Sequence, residues 1–174
     1  MSVLVVVRGN SASGKSTAAL AVQQRFARGA CLVVPQDVVR RQMLREPDTA
    51  GAANIELLEH IAIFGLARGL VVIVEGILNA GRYGSMLERL TAAADHALHY
   101  CFDLTFEETV TRHIGSSRAA DFSPEQMAEW YHGWQPLSFA DEIRIDASWG
   151  PEAIVDRIHR DILACGERPE SAVE

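Results

Sequence analysis

Lysine is nearly missing from this 174-residue chain: Lys15 stands alone against fifteen arginines. Where guanidinium replaces ammonium almost everywhere, a retained lysine marks a place that needs a compact, point-like cation and not a planar fork. Cysteine is scarce as well. Cys31, Cys101 and Cys165 are far apart and odd in number, with neither a CxxC pair nor zinc-site spacing, which argues against a disulfide framework and predicts buried, reduced thiols. Long apolar runs are absent too. No segment approaches the ~20 residues of a membrane span, and the apolar start, 1–7, is too short for a secretory h-region and is broken by Arg8-Gly9. Nor is there a basic excess of the kind that neutralises nucleic-acid phosphates, since the net charge is −7. Together these absences predict a cytoplasmic protein with no membrane partner and make nucleic acid an unexpected one.

What is present is an ordinary globular balance, 48% hydrophobic and 22% charged, in a chain long enough for one domain with a substantial core. Residues 1–166 are read as that domain and 167–174 as a frayed tail. Apolar runs alternate with helical patterns. Continuous apolar, largely β-branched runs at 3–7 and 70–74, with shorter strands at 31–35, 97–102 and 143–145, are expected to form a five-stranded, mostly parallel sheet. Helices are predicted over 16–26, 37–45, 55–67, 82–93, 105–113 and 151–164, with a further one opened by Ser123-Pro124-Glu125. Strands separated by helices imply a doubly wound α/β sandwich of three layers.

The strongest signal is Gly9-Asn10-Ser11-Ala12-Ser13-Gly14-Lys15-Ser16, which satisfies GxxxxGK[ST] at every fixed position, after a buried strand and before a helix. This is a phosphate-binding loop (P-loop). Small residues let backbone N–H groups and the helix N-terminus face an anion. Lys15 would reach the β/γ-phosphates, the Ser16 hydroxyl would ligate Mg²⁺, and Thr17 completes the stretch expected to touch nucleotide. ATP with Mg²⁺ is the expected pair, GTP an alternative. The tetrad Asp48-Thr49-Ala50-Gly51 spells the DxxG of a GTPase switch, but it follows Arg45-Glu46-Pro47 and not a buried strand. It reads as a turn.

Two carboxylates close strands at the edge of the sheet where α/β proteins bind ligands. Asp37 could take the proton of an acceptor hydroxyl, or it could simply cap the helix that follows; position leaves both open. Arg40, one turn on, could hold the substrate. Glu75 ends the third strand, where an acid organises Mg²⁺ through water or contacts substrate, and burial beside an apolar strand makes a purposeless glutamate costly. Arg82 is a candidate acceptor contact. Arg112 and Arg118 flank a Gly/Ser loop and suit a helical lid, about 112–134, that would close on the phosphates; sequence does not separate their roles. Trp130 and Trp134 are read as sharing one helical face, either packing that lid onto the core, the commoner role, or lining the acceptor pocket. His113 is a minor candidate for phosphate contact, and His96 and His99, three apart in a strand, do not read as a metal pair.

Gly9 to Thr17, the run Asp37-Val38-Val39-Arg40 and the arginine-bearing stretch from Arg112 to Arg118 together resemble the small P-loop kinases of the group containing chloramphenicol phosphotransferase, zeta toxin and the phage polynucleotide kinase domain. The resemblance implies Asp37 as general base, Arg40 as substrate ligand, the lid arginines around the phosphates, and Asp146-Ala147-Ser148 near the nucleotide base. Val38 stands where members acting on nucleic-acid ends often carry a second acid, and Val38 with Val39 suggests an apolar pocket wall. The expected function is therefore transfer of the γ-phosphate to a hydroxyl of a small molecule such as a metabolite, nucleoside or antibiotic, by a monomer or homodimer. A polynucleotide or nucleotide-sugar kinase is the alternative within the fold, and a slowly hydrolysing regulatory protein the alternative outside the class.

Overall fold

In the computed structural model, which describes residues 1–115 and 122–167, the five strands form one sheet in the order β2-β3-β1-β4-β5. These are β1 (Val3–Gly9), β2 (Cys31–Pro35), β3 (Val71–Gly76), β4 (His96–Phe102) and β5 (Ile143–Ile145). Every pairing is parallel, so the expectation of a mostly parallel sheet resolves to an entirely parallel one. The helices are α1 (Lys15–Gln23), α2 (Ala53–Leu66), α3 (Ala80–Ala93), α4 (Phe106–Ile114), α5 (Pro124–Trp130) and α6 (Pro151–Glu167). Between β2 and α2 lies a wide π-helical segment, Val38–Leu44.

The side-chain period of two sorts β1 onto two cores. Val3, Val5 and Val7 pack beneath α1 and α6 with Ile73, Tyr100 and Ile158. Leu4 and Val6 pack on the other face with Val72, Val74, Leu58 and Leu87. A strand buried on both faces needs the unbroken apolar run that the sequence shows. Each fully buried Val or Leu side chain contributes about 1.5–3 kcal/mol before conformational entropy is set against it.

Arg8 continues the inward face of Leu4 and Val6 and is 1% exposed. Its Nε donates to Glu142 Oε1 at 2.5 Å and its Nη2 to Glu142 Oε2 at 2.7 Å, while Gln135 O and Leu78 O accept further bonds. Glu142 Oε2 also accepts from the Leu137 amide at 3.0 Å. The segment between α5 and β5 is thereby fastened over the carboxyl end of β1.

Helix ends follow local chemistry. Thr105 and Ser123 each close a capping box, with Glu108 and Gln126 respectively. α5 stops at Trp130 because the His132 amide leaves the helical ladder and donates to Asn10 Oδ1 at 3.1 Å. Trp130 and Trp134 therefore do not share a helical face, contrary to the sequence reading; Trp134 lies beyond the helix, with Arg144 4.8 Å from its ring. Val39 is likewise no pocket wall. It is 2% exposed and joins the core beneath α2 and α3.

Candidate functional site

β2 and β3 lie on one side of β1 and β4 and β5 on the other. The β1-to-β2 crossover passes to one side of it and the β3-to-β4 crossover to the other, which opens a crevice beyond the carboxyl ends of the strands. Residues 9–17 lie there. Gly9 has φ +144°, and a Cβ on it would come within 2.6 Å of Phe102 O and 2.9 Å of Phe102 Cβ. Glycine is thus required both by backbone conformation and by the close approach of β4. Gly14, at φ +103°, turns the chain into α1, leaving the first N–H groups of that helix aimed across the loop. Ala12 also adopts a left-handed φ of 58°.

Lys15 is 7% exposed. Its Nζ donates to Asn10 O at 2.5 Å and to Ser13 Oγ at 3.2 Å, so the ammonium is held inside the loop it would share with an anion. Ser16 and Thr17, one and two residues on, are exposed. Asn10 is buried against the 131–134 segment: its Nδ2 donates to His132 O at 2.7 Å, while its Oδ1 takes the His132 amide. Arg112, in the last turn of α4, donates from Nη1 to Ser13 O at 2.7 Å. Asn10 and Arg112 thus tie the phosphate loop to both described parts of the 112–134 stretch.

Two cavities meet at this loop. The larger, about 1160 Å³, runs from Ser13 and Arg112 to Trp149, Gly150 and Val155. It is roomy enough for a ligand of cofactor size, and its far end is formed by the turn after β5. There the Asp146 carboxylate accepts from the Ser148 amide at 2.9 Å and from its hydroxyl at 2.5 Å. Those bonds, the hydroxyl's first, hold the Asp146 carboxyl below its ordinary range. Ala147 and Ser148 line the cavity.

The smaller cavity, about 60 Å³, is lined by Lys15, Ser16, Asp37, Arg41, Glu75 and Phe122 among others. It brings the two strand-end acids to the phosphate loop. Glu75 pairs in register with Val7 on one side and Pro35 on the other, and is 5% exposed. Asp37 stands at the N-cap position of the π-helical segment but makes no side-chain capping bond. Its Oδ1 accepts instead from Arg40 Nη2 and Arg41 Nε, both at 3.1 Å. Arg41 in turn lies 5.5 Å from the Trp130 ring.

Arg82 lines neither cavity; it reaches back to Asp48 Oδ2 at 2.6 Å. The neighbouring Tyr83, 0% exposed, has its hydroxyl 2.7 Å from Asp48 Oδ1 and 3.0 Å from Asn54 Oδ1, and accepts from Gln36 Nε2 at 2.8 Å. Burial and then the Asp48 carboxylate push the Tyr83 phenol well above its ordinary pKa. The 48–51 tetrad read as a turn is thus anchored from beneath by Asp48. Arg118 lies outside the described residues. The functional neighbours that the sequence reading passed over are Arg41, Phe122 and His132; a doubled arginine after Asp37 was the one available signal, for Arg41.

No protein-family model matches the chain, and no curated protein matches it. Solved structures do. The APS kinase of Mycobacterium tuberculosis, in complex with AMPPNP and APS, superposes with a TM-score of 0.68 at 18% identity, over 95% of this chain and 97% of that one. A gluconokinase from Sinorhizobium meliloti gives 0.61 at 16% identity, over 92% and 95%. A sugar kinase from Janibacter gives 0.60 at 16% identity, over 91% and 92%. The chain has the α/β fold of the P-loop kinases. Among the described residues no helix is long and apolar enough to cross a membrane.

Proposed function

We propose that the protein is a kinase that transfers the γ-phosphate of ATP, or of GTP, to a hydroxyl of a small molecule. The observation that supports this most directly is the small cavity in which Lys15 and Ser16 of the phosphate loop face Asp37 and Glu75. A slow regulatory hydrolase has no need of a carboxylate at the point where an acceptor hydroxyl would enter.

The absence of a Cβ at Gly9 lets the loop lie close against Phe102 of β4, and residues 11–16 line the large cavity, an arrangement that fits a triphosphate. An exposed Ser16 hydroxyl and a buried Glu75 carboxylate on the same cavity form an all-oxygen donor set suited to Mg²⁺, Glu75 acting through water. A magnesium ion there would supply charge neutralisation to the phosphate oxygens. The protein's own groups do the rest. Lys15 and the α1 N-terminus hold the β/γ-phosphates, and Arg112 steadies the loop through Ser13 O. Asp37, held by Arg40 and Arg41 on Oδ1, takes the acceptor's proton on its carboxylate as the hydroxyl oxygen attacks in line. Arg118, from the sequence reading, remains the second candidate for charge stabilisation on the transferring group.

A screen of hydroxylated metabolites, nucleosides and antibiotics for ADP release identifies the acceptor. Asp37→Asn should then remove acceptor-dependent release by about 10²–10⁴-fold, the range for a lost general base, with nucleotide affinity intact. Lys15→Met should weaken both. Wild-type acceptor turnover by the Asp37→Asn protein would take Asp37 out of the base role, and nucleotide consumption indifferent to every acceptor would favour the regulatory reading.

A further inference from the structure

The two cavities share five lining residues: Ser11, Ala12, Lys15, Ser16 and Phe122. Four belong to the phosphate loop and must lie where the γ-phosphate would sit. The fifth, Phe122, comes from a distant part of the chain and contributes the one large apolar side chain of a junction otherwise lined by Ser11, Ala12, Lys15 and Ser16.

The ring is held from several sides. His113, 2% exposed, stacks on it with centroids 4.2 Å apart and an interplanar angle of 11°. His113 Nε2 donates to the Phe122 carbonyl at 2.8 Å, which fixes backbone and ring together. Trp130 meets the ring edge-on at 5.5 Å and also lies over Arg41, whose Nε holds Asp37. The aromatic cluster therefore reaches from the nucleotide cavity to the candidate base, with Phe122 at the meeting point. An apolar wall beside a transferring phosphate strengthens the surrounding electrostatics and denies water the approach open to an acceptor hydroxyl.

We propose that Phe122 is a specificity-determining residue that shields the transferring phosphate from water, setting the balance between phosphorylation of an acceptor and wasteful hydrolysis. This rests on the kinase reading above. In the reaction it suppresses, a water oxygen forms a bond to the γ-phosphorus. The bond from that phosphorus to the β,γ-bridging oxygen breaks, its electron pair leaving with the nucleoside diphosphate, and the water's proton passes to Asp37 and on to solvent as inorganic phosphate departs.

The test needs no acceptor. Phosphate release from ATP and Mg²⁺ is measured for the wild type, Phe122→Ala, Phe122→Leu and Phe122→Asn, with nucleotide affinity followed by calorimetry. The alanine and asparagine proteins should hydrolyse about tenfold faster, a barrier change of about 1.4 kcal/mol. The leucine protein should hydrolyse more slowly than the alanine and asparagine proteins because bulk and apolarity are kept, and each rate is taken at saturating nucleotide so that a change in affinity does not enter it. Should the alanine protein fail to fold, the leucine–asparagine pair still compares an apolar with a polar side chain of similar size. Equal phosphate release in folded, nucleotide-binding leucine and asparagine proteins overturns the shield. Failure of every acceptor to stimulate ADP release, with the difference between the leucine and asparagine proteins intact, would instead refute the kinase reading and leave Phe122 as a shield against hydrolysis only.

Discussion

Cutting the Arg8–Glu142 pair tests the account of how the segment above the sheet is held. The two side chains are 2% and 1% exposed and joined by two bonds, at 2.5 and 2.7 Å. Glu142→Gln would leave the guanidinium buried without its counter-charge, and Arg8→Met would strand the carboxylate along with the carbonyls of Gln135 and Leu78. Removing one partner of such a pair costs roughly 3–5 kcal/mol. For a chain of this length each kcal/mol moves the melting temperature by roughly 2–4 °C, so each single variant should melt roughly 6–20 °C lower. The double variant Arg8→Met/Glu142→Leu replaces both charges by apolar groups, and because the pair itself is worth little net it should recover most of the loss. Thermal unfolding followed by circular dichroism measures all three. If both single variants melt within about 2 °C of wild type, or if the double is as unstable as the sum of the singles, the pair is not the fastening described.

A second expectation concerns Gly65, where a Cβ would come within 2.7 Å of both Leu32 Cδ2 and Val72 Cγ2. Overpacking in Gly65→Ala should cost about 1–3 kcal/mol, more than the ~1 kcal/mol gained in helix propensity, so a raised melting temperature would contradict the packing of α2 on the sheet. A third concerns acid. Burial lowers the pKa of His99 from its ordinary 6.5, so over the window just below 6.5 the unfolded chain binds a proton that the folded one refuses, and stability falls as pH falls through it. His99→Gln should flatten denaturant midpoints between pH 6.5 and 5; an unchanged slope would remove His99 as the cause.

Much of this arrangement is legible in the chain. The β-branched run Val3–Val7 has to be covered on both faces, GxxxxGK[ST] has to follow it, and acids at the ends of neighbouring strands have to arrive at the same edge. What was not legible depends on long-range partners. Nothing near Arg8 announces Glu142, 134 residues away, although an arginine continuing a buried strand always requires a counter-charge. The aromatic spacing of Trp130 and Trp134 suggested helix, yet the His132 amide is claimed by Asn10, a competition that no local propensity reveals. Phe122 escaped notice because one phenylalanine in a polar stretch carries no pattern of its own; only the meeting of two cavities distinguishes it.

The three cysteines carry a practical consequence. Cys31 on β2, Cys101 on β4 and Cys165 on α6 are all buried thiols, and burial raises those of Cys31 and Cys101 to about 11 and about 12. At neutral pH an alkylating reagent finds almost no thiolate at Cys31 or Cys101, and burial keeps it from all three until a layer parts. The wild-type molecule therefore carries built-in reporters on three different elements. Their order of modification under mild denaturant would trace which side of the sheet comes undone first, and whether bound nucleotide delays it.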